Sequence, residues 1–446
     1  MKIKTVSLAL LLNTVLTPSY ASEGQLTLNN IIELAVARDQ GVVQLNLQSL
    51  SLKETGIASA TLLDPKVKFG VSGLPVDSFQ LDDDAMTNIS IGLSQQFSRG
   101  ATLDLSKKHY QQQAQAMNYK ADLRKLDIAK SITQLWIELN YLTRERELIN
   151  EMHQLMQQMR RFIETNYSLG KSETQDLLYA ELQVSQLNEQ IQKNRQMQQR
   201  IRAQLSEWVE PEYLQQAQLN DSLENHWQSL LAIDKTRNSD SMAYFDLLAT
   251  HPKVKAVEQI IQSKQTQVSI AEQSYRPQFG VEVAYAFRQA NSMDGQPASD
   301  LVSAYLTMDI PLFTDKKQDR QYSAAQHRLS AAKSQKDRLL VQMNARVNTL
   351  ISDKHNLQDR INRYQKVLVK QAKERTQAIE RGYENNTAQF SELISAAKDE
   401  LMIAKEQARL VADINNTQNE LAYVLNRYDQ NITELSTAYE LEENNQ

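Results

Sequence analysis

Between Ala101 and Asn166 the chain has neither a proline nor a glycine. At ~1.5 Å of rise per residue, these 66 residues form a helix of roughly 100 Å, far longer than a globular-protein helix. The stretch from Lys316 to Arg381 is its equivalent. Two further segments, Ser172–Val209 and Ala388–Arg427, read as helices that return alongside. Leu177, Val184, Ile191 and Leu205 recur there at multiples of seven, the spacing of a coiled-coil seam. With 11 Gly and 8 Pro in 446 residues, turn and linker chemistry is scarce, which argues against a string of small domains.

These stretches are paired by duplication. Adding 216 carries Phe97 to Phe313, Leu123 to Leu339, Asn140 to Asn356, Tyr167 to Tyr383 and Leu177 to Leu393. Upstream the offset is 212 and carries Pro65 to Pro277, so the second half gains four residues before Phe313, in a surface loop. Each unit reads helix, strand, loop, strand, long helix, turn, helix. The opening helices run from about Thr27 to Leu62 and Met242 to Tyr275; Pro65 and Pro277 end them, since a residue before proline avoids the α region. The first repeat occupies 22–209, with strands at about 66–74 and 87–97 and a hairpin over 101–209. The second occupies 242–427, with strands at about 278–287 and 302–313 and a hairpin over 316–427. Residues 210–241, with Pro211 and mixed composition, read as a connector packed on the bundle. Residues 428–446 read as an acidic tail, loosely held after Asn431.

The N-terminus reads as an address. Lys2 and Lys4 precede an apolar run from Val6 to Leu16, and Ser19-Tyr20-Ala21 supplies small residues at −3 and −1 of a cleavage site. Residues 1–21 are thus expected to be a secretory signal peptide, leaving 47 basic against 54 acidic residues. An acidic balance gives no reason to expect nucleic acid. No later segment approaches the ~18 apolar residues of a transmembrane helix. Cysteine is absent, which excludes disulfides, thiolate metal sites and lipidation on an N-terminal cysteine.

Within each repeat the period then switches to two. Val67, Phe69 and Val71 alternate with polar or small residues, as do Ile89, Ile91 and Leu93. Phe279 to Phe287 and Ala304 to Leu312 repeat the pattern. Strands of about ten residues, apolar on one face, fit a transmembrane β-strand of ~9–11 residues. In hydrocarbon every strand edge must be closed, and four strands cannot close a barrel alone. Copies must then pool their strands. The alternative is a soluble four-stranded sheet covered by helices.

The duplicated strand pair plus hairpin, Asp64-Pro65 entering the first strand and Gln95-Gln96-Phe97-Ser98-Arg99-Gly100 leaving the second resemble the TolC-like outer membrane efflux proteins. So do the turns Tyr167-Ser168-Leu169-Gly170 and Tyr383-Glu384-Asn385-Asn386. The resemblance covers Leu26 to about Arg427. It implies a mainly α fold with a membrane β-barrel part: a homotrimer whose 12-stranded barrel, embedded in outer-membrane lipid, continues into a 12-helix periplasmic α-barrel. Such a protein is a passive duct, docked by a periplasmic membrane fusion (adaptor) protein onto an inner-membrane pump. The run Leu74-Pro75-Val76-Asp77-Ser78-Phe79, with Met86-Thr87 and Ile91-Gly92-Leu93-Ser94-Gln95, is similar to the heavy-metal RND (CusC/CzcC-like) branch. That branch implies an RND-type pump and heavy-metal cargo; drugs or other small molecules are the alternative cargo. Members often carry proline where Ser98 stands.

The resemblance also assigns sites. The two turns are the periplasmic tips, with Tyr167, Gly170 and Asn386 as adaptor-docking positions. Gly170 supplies the positive φ that a helix C-terminus uses, and Asn386 is the next-best residue for it. Nine residues beyond the paired tyrosines stand Asp176 and Glu392. In the family, acids on the second-half turn ring the tunnel entrance and a tyrosine helps to close it; Glu392 and Tyr383 fall on those positions. Ala388 and Ser395 stand where a basic partner and a second acid are expected. Facing inward in a trimer, Asp176 and Glu392 would give a cation-selective entrance; a solvated helical face is the competing reading.

Other chemistry is missing. No nucleotide-binding, zinc-protease or hydrolase motif occurs, which implies no enzyme and no cofactor. The six histidines show no paired ligand spacing, and Met152, Met156 and Met159 read as helix packing ahead of a soft-metal track. The rival class is a periplasmic coiled-coil adaptor or structural protein.

Overall fold

The computed structural model describes residues 27–210, 227–230, 244–292, 295–385 and 387–436. The expected signal peptide and most of the 210–241 connector lie outside them. In chain order the first half comprises α1 (Leu28–Arg38), α2 (Gln40–Ser59), β1 (Lys66–Ser72), β2 (Asn88–Gln96), α3 (Thr102–Ser168) and α4 (Thr174–Leu205). The second comprises α5 (Phe245–Leu248), α6 (Pro252–Gln273), β3 (Gln278–Phe287), β4 (Leu301–Asp309), α7 (Gln318–Arg363), a π-turn (Tyr364–Leu368), α8 (Val369–Glu384) and α9 (Phe390–Leu425).

The opening helices are not continuous, contrary to the sequence expectation. The first breaks at Asp39, whose backbone is extended and whose carboxylate accepts from Val42 N at 2.8 Å to cap α2. The second breaks at His251, the residue 212 positions on, whose Nδ1 accepts from Lys253 N at 3.1 Å to cap α6. Both breaks let the chain bend around the middle of the bundle. There α1 buries Ile31, Ile32, Ala35 and Val36 against Ile132 and Trp136 of α3. Trp227 and Leu230 pack with Val347, Leu421 and Leu425 in a second cluster.

The tail also departs from expectation. Ile432 is 2 % exposed and joins the α1–α3 core, with Tyr428 and Leu435 packed beside it. These apolar side chains dock an otherwise acidic segment as far as residue 436. Residues 437–446 lie outside the described part.

The four strands form one antiparallel sheet in the order β1-β2-β3-β4, so β1 and β4 each leave an edge unpaired. The register lines up the apolar sets. Phe69 lies opposite Ile91, Ile91 opposite Tyr285, and Tyr285 opposite Val302; Val67, Leu93, Val283 and Ala304 make the next row. The other face carries Ser90, Ser94, Ser303 and Thr307, and an ion pair between Lys68 and Glu282 at 2.5 Å. Among the described residues no helix covers either face. Phe69 is 78 % exposed and Leu306 73 %. β4 ends at Asp309, short of the expected 313, because Pro311 cannot donate to a ladder. β1 is likewise shorter than expected, with seven residues.

Arg99 ties the sheet to the helices. It donates to the carbonyls of Arg276 at 2.7 Å and Ser274 at 3.4 Å, and pairs with Asp309. Next to it Gly100 turns the chain at φ 48°, where a Cβ would sit 2.4 Å from Gln273 Oε1. Beyond this joint α3 runs unbroken for 67 residues. Its counterpart is interrupted by the π-turn at Tyr364–Leu368.

Candidate functional site

The two hairpins turn with the same backbone device. In the first, Lys171 N donates to Asn166 O at 2.8 Å and Gly170 N to Tyr167 O at 2.9 Å, a Schellman motif with Gly170 at φ 71°. In the second, Thr387 N donates to Gly382 O at 2.7 Å, the same bond 216 residues on. Asn386 lies outside the described residues. Leu169 is 63 % exposed and Tyr167 43 %, so the first tip offers apolar surface to solvent.

Asp176 and Glu392 occupy the third position of α4 and α9, and there their roles part. Glu392 folds back onto its own N-cap: Gln389 N donates to Oε2 at 3.2 Å and the Gln389 side chain completes the capping box. Asp176 makes no such bond and lines a cleft of about 1110 Å³ between the two hairpin tips. Tyr383 lines the same cleft, half-buried, its ring 6.3 Å from Phe162 and 5.9 Å from Phe390. Burial raises the Tyr383 phenol above its ordinary pKa, and the Asp176 charge adds to the rise. Asp176 and Tyr383 thus share one site, Glu392 does not line it, and the Tyr167 hydroxyl accepts from Thr174 Oγ1 at 3.5 Å.

Sequence reasoning missed Phe162, Tyr179, Phe390, Glu380 and Glu384, which complete the cleft. The repeat equivalents of the rings are dissimilar: Phe162 pairs with Ala378, Tyr179 with Ser395 and Phe390 with Thr174, whereas Glu380 pairs with Glu164. Comparison of the halves therefore hides the rings.

Above the cleft, α9 is clamped to α3. Arg409 pairs with Glu138 at 2.7 Å and Asp413 at 2.7 Å and lies over the Tyr141 ring, while Lys405 pairs with Glu145 at 2.9 Å. Met152 and Met156 are buried with Ile149, Ile163, Leu187 and Phe390. Among the described residues no three His, Asp or Glu side chains converge on a metal position.

No protein-family model matches the chain, and no curated protein matches it. Solved structures do. The outer membrane protein VceC of Vibrio cholerae superposes with a TM-score of 0.70 at 16 % identity, over 89 % of this chain and 95 % of its own. The Campylobacter jejuni CmeC outer membrane channel gives 0.71 at 10 % identity over 98 % of both chains. The chain shares its fold with membrane channels. CusC, described for transmembrane channel formation, also gives 0.70, at 14 % identity over 89 % and 91 %, so the likeness singles out no branch among them.

Proposed function

We propose that the chain is the outer-membrane exit duct of a tripartite efflux system. Three copies pool their strands into a 12-stranded barrel, and their hairpins form a 12-helix tunnel through the periplasm. The observation that supports this best is the sheet. It is apolar on one face, polar on the other, covered by no helix among the described residues and unpaired at both edges. In water that apolar face would be an aggregation surface; in a bilayer it is the lipid face of a barrel segment. A periplasmic adaptor would keep its β structure in a compact domain, which this sheet is not.

The tips around Tyr167, Gly170 and Asn386 dock a periplasmic adaptor that connects to an inner-membrane pump of the RND type. Asp176 and Tyr383 stand at the entrance between the hairpins. Glu392 contributes chiefly by holding the start of α9. Heavy-metal ions and drug-like molecules are the two cargo classes, and the partner pump chooses between them. Membrane fractionation of cells expressing the chain tests the proposal. The protein should sediment with outer membranes and migrate faster on gels when unheated; recovery in the soluble periplasmic fraction would contradict it.

A further inference from the structure

The cleft between the hairpin tips has a composition that the duct reading does not require. Its walls carry four aromatic rings, Phe162, Tyr179, Tyr383 and Phe390; Phe162 meets Tyr383 edge-to-face at 6.3 Å between centroids, and Phe390 lies tilted against Tyr383 at 5.9 Å. Its charges are four carboxylates, on Glu173, Asp176, Glu380 and Glu384, against the single ammonium of Lys171. Among the described residues, Asp176, Glu380 and Glu384 have no ion-pair partner, whereas the clamp above pairs its acids with Arg409 and Lys405. Aromatic faces attract cations through their quadrupole, and a low-charge-density organic cation gives up little hydration on contact with them. Rings and unpaired carboxylates around about 1110 Å³ together select for charge sign and for size.

We infer that this cleft binds hydrophobic organic cations, one per chain. The rings supply contact area and the carboxylates supply the complementary field. The inference rests on the duct reading for the route by which such a cation arrives, and on the cleft alone for its binding. Small hydrated metal ions fit it less well, because they need closely converging oxygen ligands and gain nothing from the rings. The arrangement therefore favours organic cations over metal ions as cargo that pauses at the entrance.

The test is titration calorimetry of the detergent-extracted protein with tetraphenylphosphonium, with tetraphenylborate as a probe of the same shape and opposite charge. Saturable binding of the phosphonium at one site per chain is expected, with none of the borate. Tyr383→Leu should weaken binding about tenfold, within the range of a desolvated cation–π contact. Phe162→Leu, at a ring that is 54 % exposed, should weaken it several-fold. Asp176→Asn should weaken it too, and Glu392→Gln, outside the cleft and still able to cap, should leave it unchanged. Equal binding of the borate, or affinities untouched by Tyr383→Leu and Phe162→Leu, would overturn the inference. So would Mg²⁺ alone displacing the phosphonium stoichiometrically, since that marks a simple acidic cluster. Because the cleft lies within one chain, a channel-forming trimer that ignores the cation refutes this inference only. A chain that binds the cation but never assembles refutes the duct reading only.

Discussion

The two repeats use the same backbone devices and different side chains to hold them. At offset 212, α2 is capped by Asp39 and α6 by His251. At offset 216 the hairpin turns share the bond from residue 171 or 387 to residue 166 or 382, and both returning helices carry an acid at their third position. Yet Asp39 is fixed by Arg124 at 2.7 Å, whereas His251 is wholly buried and donates from Nε2 to the Tyr423 carbonyl at 3.2 Å. The long helix is unbroken in one half and π-turned in the other. The two halves bend at matching positions, because bends are set by hydrogen bonds that any suitable acceptor can make. The side chains that face the opposite hairpin differ between the halves, as at Phe162 and Ala378 or Phe390 and Thr174.

The largest expected difference between the halves is in acid. His251 is held neutral: burial lowers its pKa from 6.5 to about 4, and the nearby Lys253 charge adds to the fall against the opposing bond to Tyr423 O. The unfolded chain takes up a proton below about 6.5 that the folded imidazole refuses, so stability falls as pH drops from 6.5 towards 4, by about 3 kcal/mol. For Asp39, burial raises the pKa, but the Arg124 hydrogen bond and the Val42 N–H outweigh it and the net direction is down. Its stabilisation is present above the ordinary carboxylate range and is lost only as pH falls through the lowered value. The second repeat's cap therefore fails first on acidification. Melting temperature against pH, compared between wild type and His251→Asn, should show the loss between pH 6.5 and 4 in the former and its absence in the latter. The same slope in both would mean that the imidazole is not what distinguishes the caps.

A smaller difference is expected at the turns. Glu392→Ala removes the capping box and should cost about 1 kcal/mol in denaturant unfolding. Asp176→Ala removes no cap bond and should change stability by less than about 0.5 kcal/mol. Equal costs would show that the capping box does not distinguish the two acids.

Much of this fold can be read in the residues, because helix length, strand alternation and turn chemistry are local. The proline- and glycine-free run gives α3, the period-two sets give one face of all four strands, and Gly170 gives the first tip. The helix breaks are harder, since the apolar period runs straight through Asp39 and through His251-Pro252, although Pro252 at the first position of α6 was an available signal. The capping box is hard to read in the sequence because its N-cap is Gln389 and not serine or threonine. Tyr383 and Asp176 are legible as single positions, but their meeting is tertiary. Nothing local brings Phe162 of α3 against Tyr383 of α8. The docked tail shows the same limit: composition marks it as acidic, while the placement of Ile432 depends on a partner surface on α1 and α3.

The central claim is that four strands per chain close a barrel only by pooling with other copies. Native mass measurement of the detergent-extracted protein tests it most directly. A single species of three chains is predicted, with no folded monomer at any dilution that preserves the sheet. A folded monomer that inserts into membranes would contradict the account.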